Sequence, residues 1–172
     1  DSNRFPSWYY SNGAAAVKLW WGCYQTSRNR ARVCRIRQRQ EKTEVPADTL
    51  NHILEQYKIS PDQVAFVGSD TEGSEFRVIA TGQQLWRAGV SLYVEVFPEA
   101  LRLQNGLDEF LRQANQFFSR FIERADLIKD GIKAPRRPIS EMAHLVDRLS
   151  ENYKKGGVYI SDVLLLPACF EN

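Results

Sequence analysis

The 172-residue chain holds only three cysteines, and Cys23, Cys34 and Cys169 form no CxxC pair. So sparse and odd a set excludes a disulfide-stapled secreted scaffold and fits reduced thiols in a cytoplasmic protein. Long hydrophobic runs are missing as well. The longest, such as Ala14–Val17 and Val163–Leu166, fall far short of the roughly 20 residues that cross a bilayer, so no membrane partner is expected. No basic start, apolar stretch and small-residue cleavage site together mark a secretory signal. His52 and His144 are the only histidines, and neither has a second metal-type ligand at helical spacing. A zinc site and a Ser/Cys–His triad are therefore not expected. Neither GxGxxG nor GxxxxGK[ST] occurs, so no nucleotide-phosphate cradle is visible. No cofactor follows from any motif.

What is present describes an ordinary folded domain. Hydrophobic residues make up 43% and charged residues 26% of the chain, proportions that favour a packed core over disorder. A chain of this length buries about 70% of its unfolded surface as one unit, without a metal or disulfide staple. The sequence thus reads as a single domain over residues 1–172. Residues 1–97 form a basic, strand-rich part, and residues 98–172 supply a long helix, a second helix and a final strand. The formal net charge of +2 hides an asymmetry, because residues 1–45 carry nine Lys/Arg against three Asp/Glu. Such a split suits a surface that faces a polyanion.

Hydrophobic periodicity places the elements. Residues 1–13, with Phe5, Trp8, Tyr9 and Tyr10, read as an ordered aromatic arm. Ala15–Tyr24 and Ala31–Arg39 read as an antiparallel hairpin, with an irregularity near Val33-Cys34 where the apolar phase slips. Pro46–Lys58 predicts a short helix capped by Asp48. Val64–Val67 and Phe76–Ala80 predict a second hairpin around the polar turn Ser69–Ser74. Val90–Phe97 alternates cleanly and predicts a strand that Pro98 ends. Leu103, Leu107, Phe110, Leu111, Ala114, Phe117, Phe118, Phe121, Ile122, Ala125 and Ile128 recur at helical spacing, which predicts one long helix over about 99–130. Gly106 marks a place where it could break. A loop follows over Gly131–Pro138, then a medium helix over Ser140–Lys154 and a strand over Val158–Leu166. The fold class is α+β, with a mostly antiparallel sheet of about six strands and one short, one long and one medium helix.

The densest chemical signal is the arginine run. Arg28, Arg30, Arg32, Arg35, Arg37 and Arg39 fall within twelve residues that contain no acidic side chain. Guanidinium groups pair bidentately with phosphate and stack on bases, and Trp20 and Tyr24 lie just upstream to add aromatic surface. Lys133, Arg136 and Arg137 form a second basic cluster that a loop could bring into the same patch. Basic side chains on an edge strand also serve simply to block sheet-to-sheet pairing.

One stretch invites an enzymatic reading. Asp62, after Ser60-Pro61, precedes one predicted strand, and Glu75-Phe76-Arg77 opens the next. This layout is similar to that of the PD-(D/E)xK metal-dependent nucleases, except that arginine stands where that family has lysine and Glu75 sits at the start of its strand. A nucleophilic DxD of the phosphatase type after an early strand is absent. The sequence therefore points to a non-catalytic nucleic-acid-binding protein within a larger assembly, with no metal site. The alternatives are an adaptor whose basic strand meets an acidic protein, or whose 99–130 helix docks on a partner, and a metal-dependent nuclease.

Overall fold

The computed structural model describes residues 9–11, 14–20 and 48–168. Its frame is one mixed sheet, and its first two strands are β1 (Tyr9–Ser11) and β2 (Ala14–Trp20). Then come α1 (Leu50–Gln56), β3 (Val64–Asp70), α2 (Glu75–Thr81), α3 (Gln83–Arg87) and β4 (Ser91–Val96). The second half adds α4 (Pro98–Leu103), α5 (Leu107–Phe117), β5 (Phe118–Glu123), α6 (Arg124–Asp130), β6 (Arg137–Pro138), α7 (Met142–Lys154) and β7 (Ser161–Pro167). The strand order across the sheet is β1-β2-β3-β4-β7-β5-β6.

The α+β class holds, but the sheet is mixed rather than mostly antiparallel. β2 pairs with β3, and β3 with β4, in parallel. Parallel neighbours need crossover segments, and α2 with α3 provides one between β3 and β4. β7 enters between β4 and β5, antiparallel to both, so β4 and β5 run the same way. The carboxyl ends of β2, β3, β4 and β5 therefore gather at one end of the sheet.

The main core lies on one face. Leu92, Val94 and Val96 alternate inward from β4 as their sequence requires, and they meet Val163 and Leu165 of β7. Helices α2, α3, α5 and α7 cover them with Val78, Ile79, Leu85, Trp86, Phe110, Ala114, Met142, Leu145, Val146 and Leu149, all buried. On the other face, Ile122 and Leu166 pack with Ala134 and, from α6, Leu127. Beside β4 this second face is open, and Phe66 of β3 is 45% exposed.

Three sequence readings are corrected. The helix predicted over 99–130 is α4, α5, β5 and α6 in succession. Asn105 adopts a left-handed φ of 53° after α4, and at Gly106 a Cβ would lie 2.2 Å from the Phe76 ring. The chain must turn there. The aromatic stripe is nevertheless buried: Phe110, Ala114, Phe117, Phe118, Phe121 and Ile122 are all in the core. A bulge between Phe118 and Arg120 lets Phe118 and Phe121, three apart, reach the same core from a strand. That spacing is also helical, so the period misleads.

The second correction is the hairpin expected from Val64–Val67 and Phe76–Ala80. β3 is extended as predicted, but Phe76–Ala80 lies in α2, because a short segment with four apolar residues around Arg77 suits either element and here continues into the helical Leu85-Trp86 pattern. The third is the cap of α1. Thr49 accepts from the His52 amide, whereas Asp48 accepts from the Thr49 amide and pairs with the His52 ring. The hairpin partner Ala31–Arg39 lies outside the described residues. Among them, β2 pairs with β1 and β3.

Candidate functional site: a carboxylate cluster at the carboxyl end of the sheet

Three acidic side chains converge where the parallel strands end. One carboxylate oxygen each from Asp70, Glu72 and Glu95 lies within 4.8 Å of the other two. Strand register explains the convergence. Ser69 pairs with Val94, so the next step along both strands sets Asp70 level with Glu95. Glu95 in turn pairs with Asp162 of β7, and Asp70 pairs with Trp20 of β2. Crevices outside the carboxyl ends of parallel strands are where open α/β sheets hold their ligands.

The loop after β3 is built around this cluster. Glu72 has a φ of 51° and Gly73 a φ of 97°. A Cβ at Gly73 would come within 2.6 Å of the Ala100 backbone, so only glycine fits. A left-handed glutamate is uncommon, and it holds the Glu72 carboxylate over the strand ends. Glu75, fully buried, braces the loop from inside. Its Oε1 accepts from the Thr71 amide at 3.2 Å, the Thr71 hydroxyl at 3.0 Å and the Gly73 amide at 3.2 Å. Its Oε2 is buried without a partner, as is Oε2 of Glu95.

Packing carboxylates together is electrostatically unfavourable, and the proton affinities of Glu72 and Glu95 record it. Burial, then the charges of Glu72, Asp70, Glu75 and Asp162, pushes Glu95 up to about 8. Burial first, then Asp70 and Glu75, raises Glu72, and burial raises Glu75. Tyr93, beside Asp162, is pushed up to about 12, first by burial and then by that charge. A group whose folded-state value is raised holds its proton in the native protein and loses it on unfolding. Its stabilising contribution is complete below its ordinary value of 4.5 and is lost as pH rises through about 8. In chelator, the melting temperature should therefore fall between pH 5 and 8, and more steeply than in Glu95→Gln. Parallel profiles for the two proteins would show that Glu95 is not the titrating group.

Three carboxylate oxygens this close are a hard, oxygen-only donor set suited to Mg²⁺ or Ca²⁺. Oxygens within 4.8 Å of one another can be drawn together by side-chain movement around Ca²⁺ at about 2.3–2.6 Å or, with more movement, around Mg²⁺ at about 2.1 Å. A cation there would also satisfy buried carboxylate oxygen that the protein leaves unpaired.

The predicted site residues lie elsewhere. Arg28, Arg30, Arg32, Arg35, Arg37, Arg39 and Tyr24 fall outside the described residues. Trp20 ends β2, and Arg137 is in β6 at the opposite side of the sheet. Five strand spacings of about 4.8 Å separate those strands, so Trp20 and the second basic cluster form no single patch. Arg137 is also engaged, pairing with Asp126 at 2.6 Å and Glu123 at 3.3 Å. Lys133 and Arg136 are exposed. Asp62 and Glu75 stand at opposite ends of the seven-residue β3, roughly 20 Å of strand. They cannot share an ion, so the nuclease layout is not realised. His52 and His144 are both exposed.

Sequence reasoning passed over the trio because Ser69–Ser74 read as a hairpin turn. Two signals were present: three acidic residues in the six from Asp70 to Glu75, and Glu95 as the one charge in an otherwise apolar-alternating strand. Among the described residues, no helix is long and apolar enough to cross a membrane. Comparisons of the chain with protein-family models, curated proteins and solved structures return no match.

Proposed function

We propose that this domain is a divalent-cation-dependent enzyme whose cation is held by Asp70, Glu72 and Glu95, with Glu75 positioning the loop between them. The observation that carries this reading is the trio itself, set at the carboxyl end of adjacent parallel strands beside buried carboxylate oxygens that have no partner. Three protein oxygens leave about half of an octahedral shell open to water or substrate. A cation so placed polarises bound oxygen and lowers the pKa of a coordinated hydroxyl. Calorimetric titration with Mn²⁺ or Ca²⁺ at pH 8 tests it, since the carboxylates must be deprotonated to bind. One site per chain is expected, at least tenfold weaker in Glu95→Gln. No heat, or equal affinity in the variant, would overturn the assignment.

A second reading rests on the arginine run Arg28–Arg39, whose charge density suits nucleic-acid phosphates whatever the cation centre does. The chain leaves β2 at Trp20, beside Asp70, so the run begins eight residues from the carboxylate end. In this reading Lys133 and Arg136 are a separate contact, and the protein works within a larger assembly. Replacing Arg30, Arg32, Arg35 and Arg37 by glutamine should then flatten the slope of log affinity against log salt for a labelled oligonucleotide by about three, at 0.7–0.9 per phosphate contact. Unchanged slope and affinity would remove nucleic acid from consideration at this segment and leave an acidic protein as its partner.

A further inference from the structure

Between α6 and α7, where β7 begins, the described residues enclose a cavity of about 590 Å³. Its size lies within the roughly 300–1,000 Å³ of small-molecule sites. Arg124 and Ile128 of α6 line one side and Leu149 of α7 another, while Asp162 of β7 lies beside its register partner Glu95. Val158 completes the apolar lining. Ile128 and Val158 are 72% and 74% exposed, which leaves aliphatic surface for a ligand to cover.

One pair of opposite charges in this lining is only loosely joined. Arg124 Nε and Asp162 Oδ2 stand 3.6 Å apart, beyond hydrogen-bond length. Charge alone holds them together, so the guanidinium keeps its donors, and the carboxylate its oxygens, for other partners. Arg148, the other arginine of the cavity, is instead committed to Glu123. An anion entering here would be drawn to Arg124 and repelled by Asp162, and a cation the reverse. A ligand that carries both charges close together answers both groups at once, with its carboxylate on the guanidinium and its ammonium on Asp162. Two opposite charges on one carbon, as in an α-amino acid, suit so closely set a pair.

We propose that this cavity binds a free α-amino acid with an aliphatic side chain. Arg124 takes its carboxylate, Asp162 takes its ammonium, and the side chain lies against Leu149, Ile128 and Val158. Binding needs no cation beside Glu95, so it stands or falls apart from the cation reading.

The test is calorimetric titration of the full chain with leucine, in chelator at pH 7. Leucinamide lacks the carboxylate, N-acetylleucine lacks the ammonium, and glycine lacks the side chain. Saturable binding of leucine is expected, with each of the other three at least tenfold weaker. Arg124→Gln should weaken leucine and erase its advantage over leucinamide, because the group that reads the carboxylate is gone. Asp162→Asn should likewise erase the advantage over N-acetylleucine. Val158→Trp, at an exposed position where folding should survive, should fill the cavity and weaken leucine at least tenfold. No binding of leucine by the wild type would overturn the proposal, and so would equal affinity for leucinamide or N-acetylleucine. Unchanged leucine affinity in Val158→Trp would place any binding elsewhere and overturn it too.

Discussion

Above pH 8, where Glu95 is ionised, replacing Asp70 by asparagine and Glu95 by glutamine together should raise the melting temperature of the protein in chelator and abolish the further rise that Ca²⁺ or Mg²⁺ produces in the wild type. Each half of this result has a separate cause. Without a cation, Asp70, Glu72, Glu75 and Glu95 crowd one another, and after burial the charges of these neighbours raise the proton affinities of Glu72 and Glu95. Neutralising two removes that repulsion. With a cation, the same charges are what hold it. At one hundred times its dissociation constant, a ligand specific to the native state stabilises by about 2.7 kcal/mol, or about 5–10 °C for a chain of this size. A structural role for the two acids predicts the opposite sign in chelator. Lower melting of the variant there, or a retained response to the cation, would refute the account.

The second large effect is on the fold. Trp86→Ala should cost about 3–5 kcal/mol, as large aromatic truncations in cores do. Trp86 is 1% exposed, its ring centroid lies 5.5 Å from that of Phe118, and its Nε1 donates to the Ile79 carbonyl at 2.9 Å. The truncation leaves a cavity and removes one of the two donors to the Ile79 carbonyl, which keeps the Gly82 amide at 3.3 Å. The fit around the ring is tight enough that a Cβ at Gly82 would stand 2.6 Å from it and 2.8 Å from Leu50. Gly82→Ala should therefore cost about 1–3 kcal/mol by overpacking. Denaturant midpoints with unchanged slope measure both. A loss below about 1 kcal/mol for Trp86→Ala would mean the ring does not anchor α3 to the sheet.

These effects show where the sequence was legible. β4 and α7 were predicted nearly as found, because strict alternation at Leu92, Val94 and Val96, and helical spacing from Met142 through Leu149, each admit one period. The region 99–130 was misread for a physical reason. A bulged strand carrying Phe118, Phe121 and Ile122 imitates helical spacing, and only its pairing with β7, distant in sequence, decides between the two. Parallel pairing of β2 with β3 and of β3 with β4 leaves no local mark at all. The carboxylate site was hidden by the same step, since Asp70 and Glu95 meet only once β3 and β4 are side by side. Arg137 shows the converse: it read as one of a basic trio, yet Asp126 and Glu123 claim its guanidinium.

The most direct test of the cation centre is anomalous scattering from crystals of the protein soaked in Mn²⁺ at pH 8. The account predicts one strong peak within about 2.5 Å of an oxygen from each of Asp70, Glu72 and Glu95, with open coordination toward the cavity that Glu95 lines. No peak at this end of the sheet, or a peak that persists undiminished in Asp70→Asn/Glu95→Gln, would contradict it.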